Sequence, residues 1–223
     1  MKKVLAMVLA TDLPRYNVMT NIIRKTWGSY KSPNFNVLYY YGRKKAGQSQ
    51  GGQTILEGDN LYCDCNESVD NINLKTVLAF KFVLKHFAFD YVYRSCCGTY
   101  IVPKWLLRFL EDKPTDKFYS GIIARLSPDD ALWVSGSGYS LSRDLAQLVA
   151  DNPDTVLRAG AGREDDVCLG RFLAKYDVVP VRAPRIDGSS KLDRAVFQYH
   201  VRLVPELMTE LHQLVTAAGE DRE

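Results

Sequence analysis

An acidic cluster stands directly before an apolar run near residue 166: Arg163-Glu164-Asp165-Asp166 is followed by the sequence VCLG. The run predicts a helix, and Asp165 or Asp166 could cap it, because a carboxylate accepts hydrogen bonds from the free amides of a first turn. A carboxylate at the rim of a pocket could instead remove a proton from an acceptor hydroxyl within hydrogen-bond reach. The pattern therefore makes both aspartates candidates for a general base, with capping as the alternative.

A sulfur-bearing corner interrupts residues 91–103, whose sequence is YVYRSCCGTYIVP. Apolar, strand-forming residues enter and leave this stretch, and Arg94, Cys96, Cys97 and Gly98 stand between them. A strand is therefore predicted to stop at the corner and to restart after it. The corner has no carboxylate, so it lacks the oxygen ligands that hard divalent cations prefer.

A lysine in the first turn of a long predicted helix, residues 72–86, is a candidate phosphate ligand. The amides of such a turn favour an anion, and Asp70 or Asn71 could cap the helix. Lys75 could reach a bound phosphate from there, or it could be a solvated surface lysine. The sequence does not decide between these two roles.

A second basic residue, Arg24, lies at the end of a predicted helix over residues 19–27 that stops at a glycine. Arg24 is a candidate ligand for a phosphate, and the alternative is a simple pair with an acidic side chain. Trp27 is predicted to anchor the core rather than to form a binding platform.

Serine and glycine alternate in residues 135–142, whose sequence is SGSGYSLS. Without a Cβ, Gly136 and Gly138 would let a ligand approach the backbone closely. A bulge in an edge strand would explain the same glycines.

Composition narrows the classes of function. The 223 residues are 46% hydrophobic and 25% charged, with a net charge of +3, which is typical of a globular domain. Basic residues are scattered among acids, so the sequence does not indicate nucleic-acid binding. Five cysteines without a disulfide pattern indicate reduced thiols. A zinc site that combines Cys63 and Cys65 with Cys96 and Cys97 is a weak alternative, because neither pair has the CxxC spacing.

Short apolar runs alternate with amphipathic stretches, which predicts an α/β fold. The sequence shows no repeat and no linker, so one domain is predicted over residues 1–223, either complete or cut from a larger protein. The N-terminal MKKVLAMVLATD resembles a signal peptide, but its short apolar run fits a buried first strand better. Residues 44–53 are predicted to form a polar loop. Strands are predicted at 4–10, 37–41, 91–93, 118–122, 134–141 and 178–181, and further helices at 104–111, 143–151, 166–175 and 205–217.

Taken in order, these clusters resemble one family, the inverting β1,3-galactosyltransferase-like glycosyltransferases, which include the β1,3-N-acetylglucosaminyltransferases and the fringe proteins. The likeness runs through nearly the whole chain. The matching segments, with the family pattern after each, are IRKTWG at 23–28 (IRxTWG), DNINLKT at 70–76 (the end of DxYxNLTLKT), FYSG at 118–121 (a following strand), SGSGYSLS at 135–142 (SGxGYxLS), DDVCLG at 165–170 (EDVxxG), and YHV with VPELM at 199–208 (His, then P-E-x-M).

The resemblance implies a GT-A architecture, a Rossmann-like mixed sheet flanked by helices, with the nucleotide sugar at the carboxyl ends of the strands. It implies an inverting transfer of a hexose, of galactose type, from a UDP-sugar to a hydroxyl of a glycan or glycoprotein. Asp166 matches the family's second acid and is the expected base, while Asp165 would orient it or substitute for it.

The corner departs from the family pattern, KTDDDVFVNVP, because Cys96, Cys97 and Gly98 stand where the three aspartates would be. The family's metal, usually Mn²⁺, is a poor match for thiolates, and His200 is the one family-matched metal ligand. No metal site and no certain cofactor are therefore predicted. The expected substitutes around the phosphates are arginine, lysine and backbone amides, with Arg94, Lys75 and Arg15 as candidates.

Three readings follow: an active transferase without the usual metal, an inactive GT-A pseudoenzyme or sugar- or nucleotide-binding scaffold, and a structural domain without a ligand. Retention of Asp165 and Asp166 favours the first, and loss of the metal-binding aspartates favours the second. Reduced thiols and the lack of a membrane segment in this chain favour a cytoplasmic setting, of bacterial or viral type, over the Golgi lumen. The sugar, the acceptor and the oligomeric state are not predicted.

Overall fold

The computed structural model describes residues 1–44, 53–159 and 165–222. Strands and helices alternate along these ranges, as the sequence predicts. The strands are β1 (Val4–Leu9), β2 (Phe35–Lys44), β3 (Ile55–Glu57), β4 (Asn60–Asn66), β5 (Tyr91–Cys96), β6 (Thr99–Ile101), β7 (Tyr119–Ala124), β8 (Trp133–Ser142), β9 (Val181–Arg182), β10 (Arg185–Asp187) and β11 (Gln198–His200). The helices are α1 (Pro14–Lys25), α2 (Ile72–His86), α3 (Pro103–Glu111), α4 (Arg143–Asp151), α5 (Pro153–Ala159), α6 (Asp165–Ala174) and α7 (Pro205–Ala217).

A mixed sheet forms the centre of the molecule, with the strand order β3-β4-β2-β1-β5-β8-β7-β9. The β1 strand lies parallel to β2 and to β5, whereas β8 is antiparallel to β5 and to β7. A smaller sheet has the order β10-β11-β6. Because β6 follows β5 directly, the smaller sheet joins the larger one at the carboxyl end of β5.

Apolar cores lie on both faces of the central sheet, which explains why β1 is a continuous apolar run. Val4, Ala6 and Val8 belong to a core that includes residues of α1, α3 and α7. Leu5 and Met7 belong to a second core that includes residues of α2, α4, α5 and α6. Alternate side chains of one strand thus stabilise two separate layers.

Most predicted elements are confirmed, with corrections at their ends. The predicted helices 72–86, 143–151 and 205–217 have the observed bounds, whereas α1 begins at Pro14, well before the predicted start at residue 19. The strand predicted at 178–181 is wrong except at its last residue, because β9 covers only Val181–Arg182. The strand predicted to restart after the corner is confirmed as β6, whereas β3, β4, β10, β11 and α5 were not predicted.

The N-terminal run forms β1, so its interpretation as a buried strand is confirmed. Most of the predicted polar loop at 44–53 lies outside the described residues, as do Arg163 and Glu164 of the acidic cluster. Within the described ranges, no helix combines the length and the apolar character needed to cross a bilayer.

Candidate functional site

The sulfur-bearing corner lies where the carboxyl ends of β1 and β5 meet. These strands are parallel neighbours, and Leu9 lies opposite Cys96. Ligands of open α/β sheets bind at such carboxyl ends. A cavity of about 370 Å³ opens at this position, and we call it the corner cavity; its lining residues are Arg15, Tyr16, Cys96, Cys97, Gly98, His200, Arg202 and Leu203.

Gly98 lets the segment around residue 202 press closely against the corner. A Cβ at Gly98 would overlap the carbonyl oxygen of Arg202. Arg202 itself has a φ of 55°, a left-handed conformation that costs a residue other than glycine about 1 kcal/mol. The chain accepts this strain in a position that brings the exposed side chain of Arg202 to the corner cavity.

The two corner cysteines are poor ligands for a hard metal ion. Both are free thiols, Cys96 half-buried and Cys97 buried. Burial raises the pKa of the Cys97 thiol to about 12, so this thiol stays protonated at neutral pH. The described part of the chain contains no group of three or more histidine, cysteine or acidic residues that could hold a metal ion. The suggested zinc site that joins Cys63 and Cys65 to the corner is therefore wrong.

His200, the one metal ligand implied by the resemblance, lines the corner cavity at the end of β11. Its Nδ1 lies 3.5 Å from the hydroxyl of Thr99. Burial, helped by the charge of Arg185, lowers the pKa of His200, so the imidazole is neutral at pH 7. Arg185 is held by Asp187, at 2.6 Å, and by the hydroxyls of Ser135 and Ser137.

Lys75 is neither a solvated surface residue nor a lysine directed at the corner cavity. It is only 1% exposed, and its ammonium group donates to Glu67 at 2.6 Å and to the carbonyl of Ala10 at 3.2 Å. Ala10 directly follows β1, so Lys75 supports the carboxyl end of that strand. The cap predicted at Asp70 or Asn71 is also wrong, because α2 has no side-chain cap and Asn71 donates to Asn66 instead.

Arg24 pairs with an acidic side chain, which was the alternative to its binding a phosphate. Its guanidinium group contacts Asp59 and Asn60 and lies 3.6 Å from the ring centre of Tyr39, and Arg24 is not among the cavity residues. Trp27 is buried in the core, as predicted, and its indole N–H donates to the carbonyl of Thr99 at 3.2 Å. Trp27 therefore supports the residue that follows the corner.

Asp165 and Arg94 form a buried ion pair. Nη2 of Arg94 lies 2.6 Å from Oδ2 of Asp165, with the two side chains 2% and 7% exposed. The same carboxylate oxygen accepts a hydrogen bond from Thr76 at 3.0 Å. Burial alone would lower the pKa of Arg94, but Asp165, Tyr40 and Tyr139 together outweigh it and hold that pKa well above its ordinary value. Arg94 is therefore charged and occupied, not free to bind a phosphate.

Asp166 is the more accessible of the two aspartates. Its Oδ2 accepts the amide of Gly136 at 2.6 Å and its Oδ1 accepts the amide of Val167 at 2.8 Å. Partial burial, together with the charge of Asp165, raises the pKa of Asp166 above its ordinary value. A raised pKa makes a carboxylate a stronger base, so the environment suits the proposed role.

The glycines of β8 do not leave open backbone for a ligand. A Cβ at Gly136 would lie 2.9 Å from Nη1 of Arg94, and one at Gly138 would lie 2.7 Å from the amide oxygen of Gln198. The protein's own side chains fill both spaces. The alternative of a bulge is confirmed in part: the register between β8 and β7 shifts between Val134 and Tyr139, although β8 lies between β5 and β7 and is not an edge strand.

Residues of β8 join Asp166 to the corner. Thr99, directly after the corner, donates from its hydroxyl to the carbonyl of Ser137 at 2.5 Å. The adjacent residue, Gly136, donates its amide to Asp166. A nucleotide sugar bound at the corner and a base at Asp166 would thus both lie next to the same short segment of β8.

Comparisons with known proteins agree with this architecture. No protein-family model matches the sequence, and no curated protein matches it. Among solved structures, a glycosyltransferase involved in the glycosylation of the major capsid of PBCV-1 has a TM-score of 0.53 at 9% identity, with 93% of this chain and 98% of that chain covered. The galactosyltransferase LgtC, in complex with donor and acceptor sugar analogs, has a TM-score of 0.52 at 12% identity, with 97% and 99% covered.

The chain has the GT-A fold. The corner cavity lies at the carboxyl ends of β1 and β5, and the family resemblance predicts the nucleotide sugar at the carboxyl ends of the strands. The likeness to the β1,3-galactosyltransferase-like family stays a prediction, as do the site residues drawn from it. Sequence reasoning missed Arg202, because nothing in its local sequence indicates contact with a corner about a hundred residues earlier.

Proposed function

We propose that the protein is a glycosyltransferase that binds the diphosphate of a UDP-sugar in the corner cavity, with arginines in the place of a metal ion. One observation carries this proposal. At the carboxyl ends of β1 and β5 of a GT-A fold, the cavity is lined by Arg15 and Arg202 and by no carboxylate. The arrangement suits an anion and not a hard cation.

The chemistry of such a transfer needs a base and a stabilised leaving group. Asp166 removes the proton of an acceptor hydroxyl, the acceptor oxygen forms a bond to the anomeric carbon of the sugar, and the bond from that carbon to the phosphate oxygen breaks. The bonding electrons leave with UDP, whose added negative charge faces Arg15 and Arg202. Attack from the side opposite the phosphate inverts the anomeric centre. The transferred group is a hexose of galactose type, and the acceptor is a hydroxyl of a glycan or glycoprotein.

The residues present do not fit the family's Mn²⁺. The corner offers two thiols, one of them protonated at neutral pH, and the imidazole of His200. Manganese prefers carboxylate, carbonyl and water oxygens. The proposed reaction therefore needs no metal ion.

Calorimetric titration of UDP and a panel of UDP-sugars tests the proposal. We expect binding that is unchanged when EDTA replaces Mn²⁺. Each of the variants Arg15→Ala and Arg202→Ala should weaken UDP binding by about tenfold or more, because each removes a charge-assisted contact with phosphate. The matched control is Arg108→Ala, which removes an exposed arginine of α3 that does not line the cavity and should bind UDP normally. Binding that requires Mn²⁺ would contradict the metal-free site.

The second candidate function is an inactive GT-A pseudoenzyme that binds a sugar nucleotide. Thiols in place of the family's metal-binding aspartates favour it. Turnover separates the two proposals, because a pseudoenzyme would bind UDP in the corner cavity but neither transfer nor hydrolyse the sugar. A domain without a ligand would not bind UDP at all.

A further inference from the structure

A buried arginine, Arg94, is held on every side by polar groups of the protein. Its Nε donates to the hydroxyl of Tyr40 at 2.9 Å, its Nη1 donates to the carbonyl of Gly136, and its Nη2 contacts Asp165 at 2.6 Å. The side chain is 2% exposed. Burying an ion pair costs several kcal/mol of desolvation per ion, and hydrophobic side chains of the same volume often stabilise a core better. Stability alone therefore does not account for this pair.

The contacts of Arg94 lead to Asp166 by two routes. One route passes through β8: Arg94 holds the carbonyl of Gly136, and the amide of Gly136 holds Oδ2 of Asp166 at 2.6 Å. The other passes through α6: Arg94 holds Asp165, the residue directly before Asp166. Asp166 is thus fixed by its backbone and by one of its carboxylate oxygens, and both constraints begin at Arg94.

We propose that Arg94 is a positioning residue for Asp166, which it orients through Gly136 and whose charge it balances against Asp165. This inference rests on the proposed function, because it assigns Arg94 to the base of that reaction. It also replaces the expectation that Arg94 binds phosphate. Arg94 does not touch the substrate; it acts through the residues that hold the carboxylate.

The charges around Asp166 give this role a measurable signature. Among the described residues, the titratable groups that face Asp166 are Asp165 and Cys168 of α6, Arg94 of β5 and Tyr119 of β7. The charge of Asp165 raises the pKa of Asp166, and the charge of Arg94 lowers it. Without Arg94, Asp165 would repel Asp166 without compensation, and the carboxylate would take up a proton at a higher pH.

The experiment compares the pH dependence of kcat/KM in paired variants. In Arg94→Met, the acid limb should move upward by about one pH unit or more, since a buried opposite charge shifts a pKa by that much. In Arg94→Met/Asp165→Asn, both buried charges are gone, so the limb should return toward its original position. At the optimum of pH, kcat of the double variant should stay low, because the hold on Gly136 is still missing. Arg171→Met is the control: Arg171 lies on α6, the helix of Asp166, and pairs with Asp130 of the segment before β8, so its loss should leave the limb in place.

Two further measurements keep the inference testable if a variant unfolds or if no turnover is found. Arg94→Lys keeps the charge but not the forked contacts, so it should lower kcat with little movement of the limb. Titration of the ¹³C-labelled carboxyl of Asp166, assigned with Asp166→Asn, follows the same shift without any catalysis. An unmoved carboxyl titration in folded Arg94→Met would overturn the positioning role. A moved titration in a protein that does not transfer sugar would refute the proposed function and keep the electrostatic link.

Discussion

Asp166 is the side chain on which the proposed reaction depends. Replacement by asparagine removes the base but keeps the volume and the polar atoms next to Gly136. We expect Asp166→Asn to lower kcat by at least about a hundredfold, the usual contribution of a general base, while UDP binding changes little. Rates measured with acceptor, together with calorimetry of UDP, check both parts. Normal turnover in this variant would refute the assignment of the base.

The pH dependence of the unmodified protein follows from the same carboxyl. The folded pKa of Asp166 is raised above 3.8, so the active, unprotonated form is lost as the pH falls through that higher value. The acid limb of kcat/KM should therefore lie above the ordinary aspartate range. The raised pKa also means that charged Asp166 costs stability at neutral pH, where the unfolded chain ionises it more easily. Asparagine removes that cost but accepts only one of the two backbone amides that the carboxylate binds, so Asp166→Asn should change the thermal stability little, which separates lost chemistry from lost folding.

Lys75 illustrates what short motifs cannot predict about a residue. Its place at the start of a helix predicted that its ammonium group would contact either a bound phosphate or solvent. The actual partners are Glu67, from the segment after β4, and the carbonyl of Ala10, after β1. Glu67 precedes Lys75 by eight residues, whereas Ala10 comes from a distant part of the chain and is brought next to Lys75 by the sheet order. A sequence pattern shows the helix face on which a residue lies, but not the loops that close over it.

At the scale of elements, the corner depends on the contact between two segments far apart in the sequence. Gly98→Ala should weaken UDP binding, because the added methyl group would push the backbone of Arg202 away from the corner cavity. Overpacking of this kind typically costs about 1–3 kcal/mol of stability as well. Gly58→Ala is the comparison: its φ is 62°, so alanine is strained there, but nothing lies within 4 Å. Calorimetry should show weaker UDP binding in the first variant only, and equal affinities would mean that the corner does not form the donor site.

Periodicity explains which elements could be predicted. Apolar residues recur at helical spacing in α2, and β1 is a continuous apolar run, so both were found. The strand β4 was missed although its sequence, NLYCDCN, alternates: Leu61, Cys63 and Cys65 are buried and their neighbours are less so. Because Cys63 and Cys65 were interpreted as possible metal ligands, the alternation of buried and less buried residues, which is typical of a strand, was not recognised. The short strands of the smaller sheet have no periodic signal, because their partners alone define them.

At the scale of the whole molecule, the topology determines where the site lies. The carboxyl ends of parallel strands gather at one edge, and the resemblance to a glycosyltransferase family places the proposed donor site there. The chemistry at that location could not be predicted. Arg202 reaches the corner because β11 pairs with β6 and so brings the end of the chain next to Thr99. A long-range pairing of short strands has no counterpart in local sequence.

Donor binding should also be visible in the unfolding of the whole chain. A ligand that binds only the folded state, present at a hundredfold excess over its Kd, stabilises that state by about 2.7 kcal/mol. For a protein of this size the increase corresponds to a rise in Tm of about 5–10 °C. We expect UDP to raise Tm by this amount in EDTA, and we expect Arg202→Ala to need a higher UDP concentration for the same rise. The two arginines line a cavity only in the folded protein. If saturating UDP does not raise Tm, the donor site is excluded, and the hypothesis of a domain without a ligand is the one that stands.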